Sequence, residues 1–77
     1  MAQVYFHCSN ADEILIDRRG AAVLNLAEAR DHAACVMQTL VQVESDEDWR
    51  EWIIHIADEL GDEILAISFT SVLGKMQ

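Results

Sequence analysis

The chain has 77 residues, five Lys plus Arg against fourteen Asp plus Glu, a formal charge of −9 and 52% apolar residues with no Pro. That apolar share is too high for intrinsic disorder, and the length holds one small domain that covers only about 60% of its unfolded surface. The charge argues against binding nucleic acid or an anionic membrane. Both need clustered cations, and Arg18, Arg19, Arg30, Arg50 and Lys75 are scattered among carboxylates.

The opening Met1–Phe6 has no basic region followed by an apolar run, so no targeting segment is expected. The longest stretch without Asp, Glu, Lys or Arg, His32–Val43, is shorter than the about 20 apolar residues that span a bilayer. Two cysteines do not make a disulfide framework. These readings lead to the expectation of a cytoplasmic protein.

Val4–Cys8 is a β-rich run, Ser9–Asp12 is turn chemistry and Glu13–Asp17 is a second strand, which together predict a hairpin. Asp17-Arg18-Arg19-Gly20 closes it as a turn, with Gly20 supplying a positive φ. Asn25 caps a helix reaching about Gln42, and Glu28 completes a capping-box pattern. Leu26, Ala29, Ala33, Val36, Met37 and Leu40 recur at helical spacing as one apolar stripe. Glu28, His32, Cys35, Thr39 and Gln42 lie outside it. Ser45–Asp48 is a second cap signal, for a single turn carrying Trp49 or for a polar loop. Trp52–Ala57 reads as the third strand, Asp58–Gly61 as a turn and Glu63–Phe69 as the fourth strand. Residues 1–70 form the expected domain, and 71–77 a flexible tail.

The predicted fold is α+β: a two-layer ββαββ arrangement, with a four-stranded antiparallel sheet of two hairpins packed under one long helix. Asp12-Glu13-Ile14-Leu15 recurs as Asp62-Glu63-Ile64-Leu65. Two hairpins meeting the same turn demands explain this echo more simply than a duplication.

Strand alternation assigns the faces. Val4, Phe6, Cys8, Ile14, Ile16, Trp52, Ile54, Ile56, Leu65, Ile67 and Phe69 are expected toward the helix. The open face is then Tyr5, His7, Leu15, Asp17, Ile53, His55, Ala57, Ile64, Ala66 and Ser68. A solvated sheet face is normally polar, so Tyr5, Leu15, Ile53 and Ile64 form a candidate binding patch, with His7 and His55 beside them. Scattered surface apolar residues, or a covering by Trp49 and the tail, are the plain alternatives.

The residues Tyr5-Phe6-His7, Asp17-x-x-Gly20, Leu26-x-x-Ala29-Arg30-x-x-Ala33, Trp52, Asp58-Glu59-x-Gly61 and Leu65-x-Ile67-x-Phe69 occur in an order that resembles a family of small alphaproteobacterial proteins, common in rhizobial relatives, of unknown function. The likeness runs from about Val4 to Phe69. The chain departs from the family pattern at Arg18-Arg19, where acidic residues are usual, and at Leu24-Asn25-Leu26, which lacks a Pro. The resemblance implies no activity and carries over no catalytic residue.

His7 and His55, with Asp17 in reach, are weak candidates for a metal site or an acid–base pair; a structural or solvated role is the commoner fate of strand histidines. Cys8 reads as a buried hydrophobe and Cys35 as an outward thiol. Asp58, Glu59, Asp62 and Glu63 lack calcium-loop spacing and read as turn charges. Arg30 flanks the stripe, where it covers the core edge or meets a ligand carboxylate. Trp49 carries no assigned role. No phosphate loop, nucleophile elbow or zinc spacing is present, and no cofactor is expected. The function expected is a non-enzymatic interaction module, self-associating as a homodimer or binding a protein partner through the open face. The alternative is an acidic antitoxin-like or nucleic-acid-mimicking regulator of a basic partner. Less favoured is a small metal protein or enzyme using His7 and His55.

Overall fold

The computed structural model describes residues 2–44 and 46–73. In chain order they form β1 (Ala2–Ser9), β2 (Ile14–Leu15), β3 (Ala21–Val23), α1 (Leu26–Val43), a 3₁₀ turn (Trp49–Glu51), β4 (Ile53–Ala57), β5 (Glu63–Ser68) and α2 (Phe69–Leu73). The sheet is antiparallel with the order β2-β1-β4-β5, and β3 also pairs with β1. The α+β class and the long helix agree with expectation. The sheet has five strands rather than four, and a second short helix follows it, so ββαββ is incomplete.

Helix α1 starts where its cap signal stands. The Asn25 side chain accepts the Glu28 N–H at 2.9 Å. Glu28 Oε1 in turn accepts the Leu24 N–H at 3.3 Å, one residue ahead of the usual capping-box donor. Ala29, Ala33 and Met37 are buried against the sheet, Val36 and Leu40 flank them half-buried, and Leu26 is exposed. The alanines let the helix approach closely, and one face of the sheet supplies the rest of the core: Val4, Phe6, Cys8, Ile54, Ile56 and Ile67.

Several expectations are corrected. The second strand is only Ile14–Leu15, and its faces are inverted. Directly opposed residues of an antiparallel pair project to the same side. Cys8 opposes Leu15, so Leu15 joins the helix face; Ser9 opposes Ile14, so Ile14 joins the open face. Ile16 is exposed beyond the ladder rather than in the core. Ile64 also leaves the open face. The register slips between Ile56 and Ala57, Glu63 comes opposite Ala57, and Ile64 lines a cleft of about 190 Å³ with Val4, Val23, Leu26 and Ala29. Phe69 starts α2 instead of ending a strand, although its N–H still donates to the Trp52 carbonyl at 3.0 Å. Residues 71–73 of the expected tail are helical, and Gly74–Gln77 lie outside the described residues.

Trp49 is buried, at 4.8 Å between ring centroids from Trp52 and stacked on Phe69 at 5.2 Å. Its Nε1–H donates to the Glu44 carbonyl at 3.0 Å. Asp48 caps the 3₁₀ turn and pairs with Arg50, whose guanidinium holds the Asp48 carboxyl down to about 2. Ser45, the other half of that cap signal, lies outside the described residues. The sequence echo has a local cause. Asn10 Oδ1 accepts the N–H groups of Asp12 and Glu13, and Asp58 Oδ1 accepts those of Leu60 and Asp62, so both hairpins turn on the same side-chain device.

Candidate functional site

Among the described residues the helices leave one face of the sheet uncovered, and the register places most of the predicted residues there. His7 lies directly opposite His55, Tyr5 opposite Ala57, and Ser9 opposite Ile53. His55 lies opposite Ala66, and Ile53 opposite Ser68. The two histidines are therefore cross-strand neighbours. Of the six residues expected to form the patch, Tyr5, His7, Ile53 and His55 come together, whereas Leu15 and Ile64 do not. Ile14 takes a place that alternation alone gave to Leu15. Its apolar side chain is 60% exposed and that of Ile53 is 38% exposed, and they stand on either side of Ser9.

Both histidines are oriented by hydrogen bonds. The Asp17 N–H donates to His7 Nδ1 at 3.0 Å, so the neutral His7 ring carries its proton on Nε2. The Tyr5 ring lies parallel to the His7 ring, 6.4 Å away. On His55, Nδ1 meets Glu63 Oε1 at 2.5 Å and Nε2 meets Ser9 Oγ at 2.8 Å. In the neutral ring Nδ1–H donates to the carboxylate and Nε2 accepts from the hydroxyl. Ser9 and Glu63 were missed at the sequence level. Both sit diagonally across the ladder from His55, a relation that needs the strand order and the register shift at Ala57.

Asp17 anchors the edge of the site. Its carboxylate accepts N–H groups from Phe6 at 3.1 Å, Arg19 at 3.0 Å and Gly20 at 3.2 Å. Burial alone would raise the pKa of this carboxyl. The N–H donors of Phe6, Gly20 and Arg19, with the charge of His7, outweigh it and hold the carboxyl below the usual range. The Gly20 φ is +69°, and a Cβ there would stand 2.5 Å from the Val4 carbonyl oxygen, so only glycine completes this turn. Behind it, burial and then Asp17 push the Cys8 thiol up to about 11. Cys8 is thus an inert core thiol, and Cys35 is exposed on α1.

The arrangement bears on metal binding. Both ring nitrogens of His55 and Nδ1 of His7 are already engaged, so a cation would have to displace Ser9, Glu63 or the Asp17 N–H. Among the described residues no group of three or more His, Cys, Asp and Glu stands together as a metal-binding set. No described helix is long and apolar enough to cross a membrane. On the opposite side of the sheet, a cleft of about 310 Å³ lies between α1 and residues 15–20, lined by Phe6, Leu15, Arg19, His32 and Val36. His32, outside the helix stripe as expected, rests on the Phe6 ring at 4.8 Å.

The molecule is thus a small α+β protein whose antiparallel sheet is covered on one face only among the described residues. Residues 3–70 match the family described as a domain of unknown function (DUF6894), and the chain belongs to that family. No curated protein and no solved structure matches it.

Proposed function

We propose that this chain is an interaction module, acting by binding rather than by turnover, which holds a protein partner or a second copy of itself on the uncovered sheet face. One observation carries this reading: Ile14 and Ile53 stand exposed around Ser9 on a face that α1 does not cover. Apolar side chains clustered on a flat face favour burial against another surface. The resemblance to small alphaproteobacterial proteins is the ground for proposing a bacterial setting. The test is molar mass by light scattering over a concentration series in reductant, which removes Cys35 disulfides from the result. The expected mass rises from one chain to two, and Ile53→Asp or Tyr5→Asp holds it at one. A wild-type mass fixed at one chain throughout overturns self-association.

A second reading rests on the carboxylates of Asp58, Glu59, Asp62 and Glu63, gathered around the β4–β5 turn within a chain of charge −9. They suit a basic partner protein. Polylysine is the probe: shifts confined to this turn at low salt and lost at high salt support the reading, and none at low salt overturns it.

A further inference from the structure

The open face also carries a hydroxyl in an activating environment. Ser9 Oγ, His55 Nε2, His55 Nδ1 and Glu63 Oε1 form one chain of hydrogen bonds, at 2.8 Å and 2.5 Å, across β1, β4 and β5. Hydroxyl, imidazole and carboxylate in this order make a serine nucleophilic, whatever the fold. We propose that Ser9 is an acyl-acceptor site, which takes a short apolar acyl group from an activated ester or thioester. The proposal goes beyond the interaction reading and does not depend on it.

The chemistry is an acyl transfer. Ser9 Oγ attacks the carbonyl carbon while its proton passes to His55 Nε2, and Glu63 stabilises the imidazolium that forms. The bond to the alkoxide or thiolate leaving group then breaks, and that group departs with the proton held by His55. The products are O-acyl-Ser9 and a free alcohol or thiol. Ile14 and Ile53, opposite Ser9 on its two neighbouring strands, give the acyl chain apolar contact. His7, fixed by the Asp17 N–H with its own proton on Nε2, presents a donor on the same face for the negative charge that develops on the carbonyl oxygen. The only activating groups needed for the attack are side chains already hydrogen-bonded in the resting protein. The face is open and shallow, which suits a site that is modified once better than one that turns over.

The experiment uses the full chain carrying Cys35→Ser, because the exposed thiol would compete, and p-nitrophenyl butyrate as the acyl donor. Intact mass and tandem mass spectrometry read the extent and position of butyrylation. The expected result is one butyryl group on Ser9, absent in Ser9→Ala. His55→Gln slows its formation about a hundredfold, the range typical of losing a general base, and Glu63→Gln slows it about tenfold. Glu63 is exposed at the start of β5, so Glu63→Gln tests the chain of hydrogen bonds even if His55→Gln fails to fold. Butyrylation elsewhere in the chain, or Ser9 labelling at an unchanged rate in Glu63→Gln, overturns the proposal. The light-scattering mass of Ile53→Asp judges the interaction reading separately, so the failure of either is distinguishable from the failure of the other.

Discussion

The two edges of this sheet are built in opposite ways. On one side, β2 and β3 both pair with β1 but are separated by the Asp17–Gly20 turn, and the Asp17 carboxylate takes the Phe6 N–H that lies between the two pairings. Arg18 and Arg19 project from that interruption. On the other side, β5 runs without interruption from Leu65 to Ser68, past the register shift that displaces Ile64. The Phe69 N–H donates to the Trp52 carbonyl, and alternation from that bond turns the Ala66 N–H away from β4 toward the free edge. An interrupted, charged edge resists pairing with another strand, whereas an unbroken one invites it. The first edge therefore depends on a few residues whose chemistry is hard to replace, and the second tolerates change.

Substitutions sharpen that contrast. Gly20→Ala carries the largest expected cost, about 4 kcal/mol by urea unfolding, because left-handed strain adds to contact with the Val4 carbonyl, Gln3 and the Tyr5 ring. Gly61 has φ +87° and nothing within 4 Å of the place a Cβ would take, so Gly61→Ala costs only the strain, about 1 kcal/mol. Cys8 gives an alkaline limb. The unfolded thiol ionises near 9.0 and the folded one near about 11, so stability from this group is intact below pH 9 and falls as pH rises to 11. The loss is about 3 kcal/mol, and Cys8→Ala removes that limb from a pH series of melts.

Asp17→Ala leaves three backbone N–H donors without their acceptor and costs about 2 kcal/mol. Its acid dependence follows from the lowered carboxyl: the stabilisation is present above the ordinary value of 3.8 and is lost as pH falls through the folded value. The wild-type protein should lose stability through that acid range faster than the variant. The smallest effect belongs to the free edge. Ala66→Pro removes a donor that β4 does not use, and stability by urea unfolding should change by less than about 1 kcal/mol. A large loss would show that the β5 edge is engaged.

Much of this architecture is legible in the residues. Asn25 and the Ala29, Ala33 and Met37 spacing mark α1, Asp17 and Gly20 mark their turn, and alternation places Val4, Phe6 and Cys8 correctly. What failed has physical reasons. Ala21–Val23 is too short and too alanine-rich to signal a strand, and it forms because β1 extends past β2 and offers an unpaired stretch on the same edge. Ile14, Leu15 and Ile16 are alike in hydrophobicity, so only the pairing of Cys8 with Leu15 decides which of them faces the helix. Ile64 is displaced by a register shift that leaves no trace in composition. The candidate site was half legible. His7, His55 and Ile53 follow from alternation, but Ser9 reads as turn chemistry and Glu63 as a solvated charge until the diagonal neighbours of His55 are known.

The aromatic residues turn this layout into a pair of optical reporters. Both tryptophans sit in one cluster with Phe69, which fastens the end of α1 to the start of β4 and the end of β5. The single tyrosine, Tyr5, lies on β1 beside Gly20, at the interrupted edge. Indole fluorescence therefore follows closure of the C-terminal half, and the phenol follows the edge. Coincident transitions at the two wavelengths would mean that the molecule melts as one cooperative unit; an earlier tyrosine transition would mean that the edge opens first.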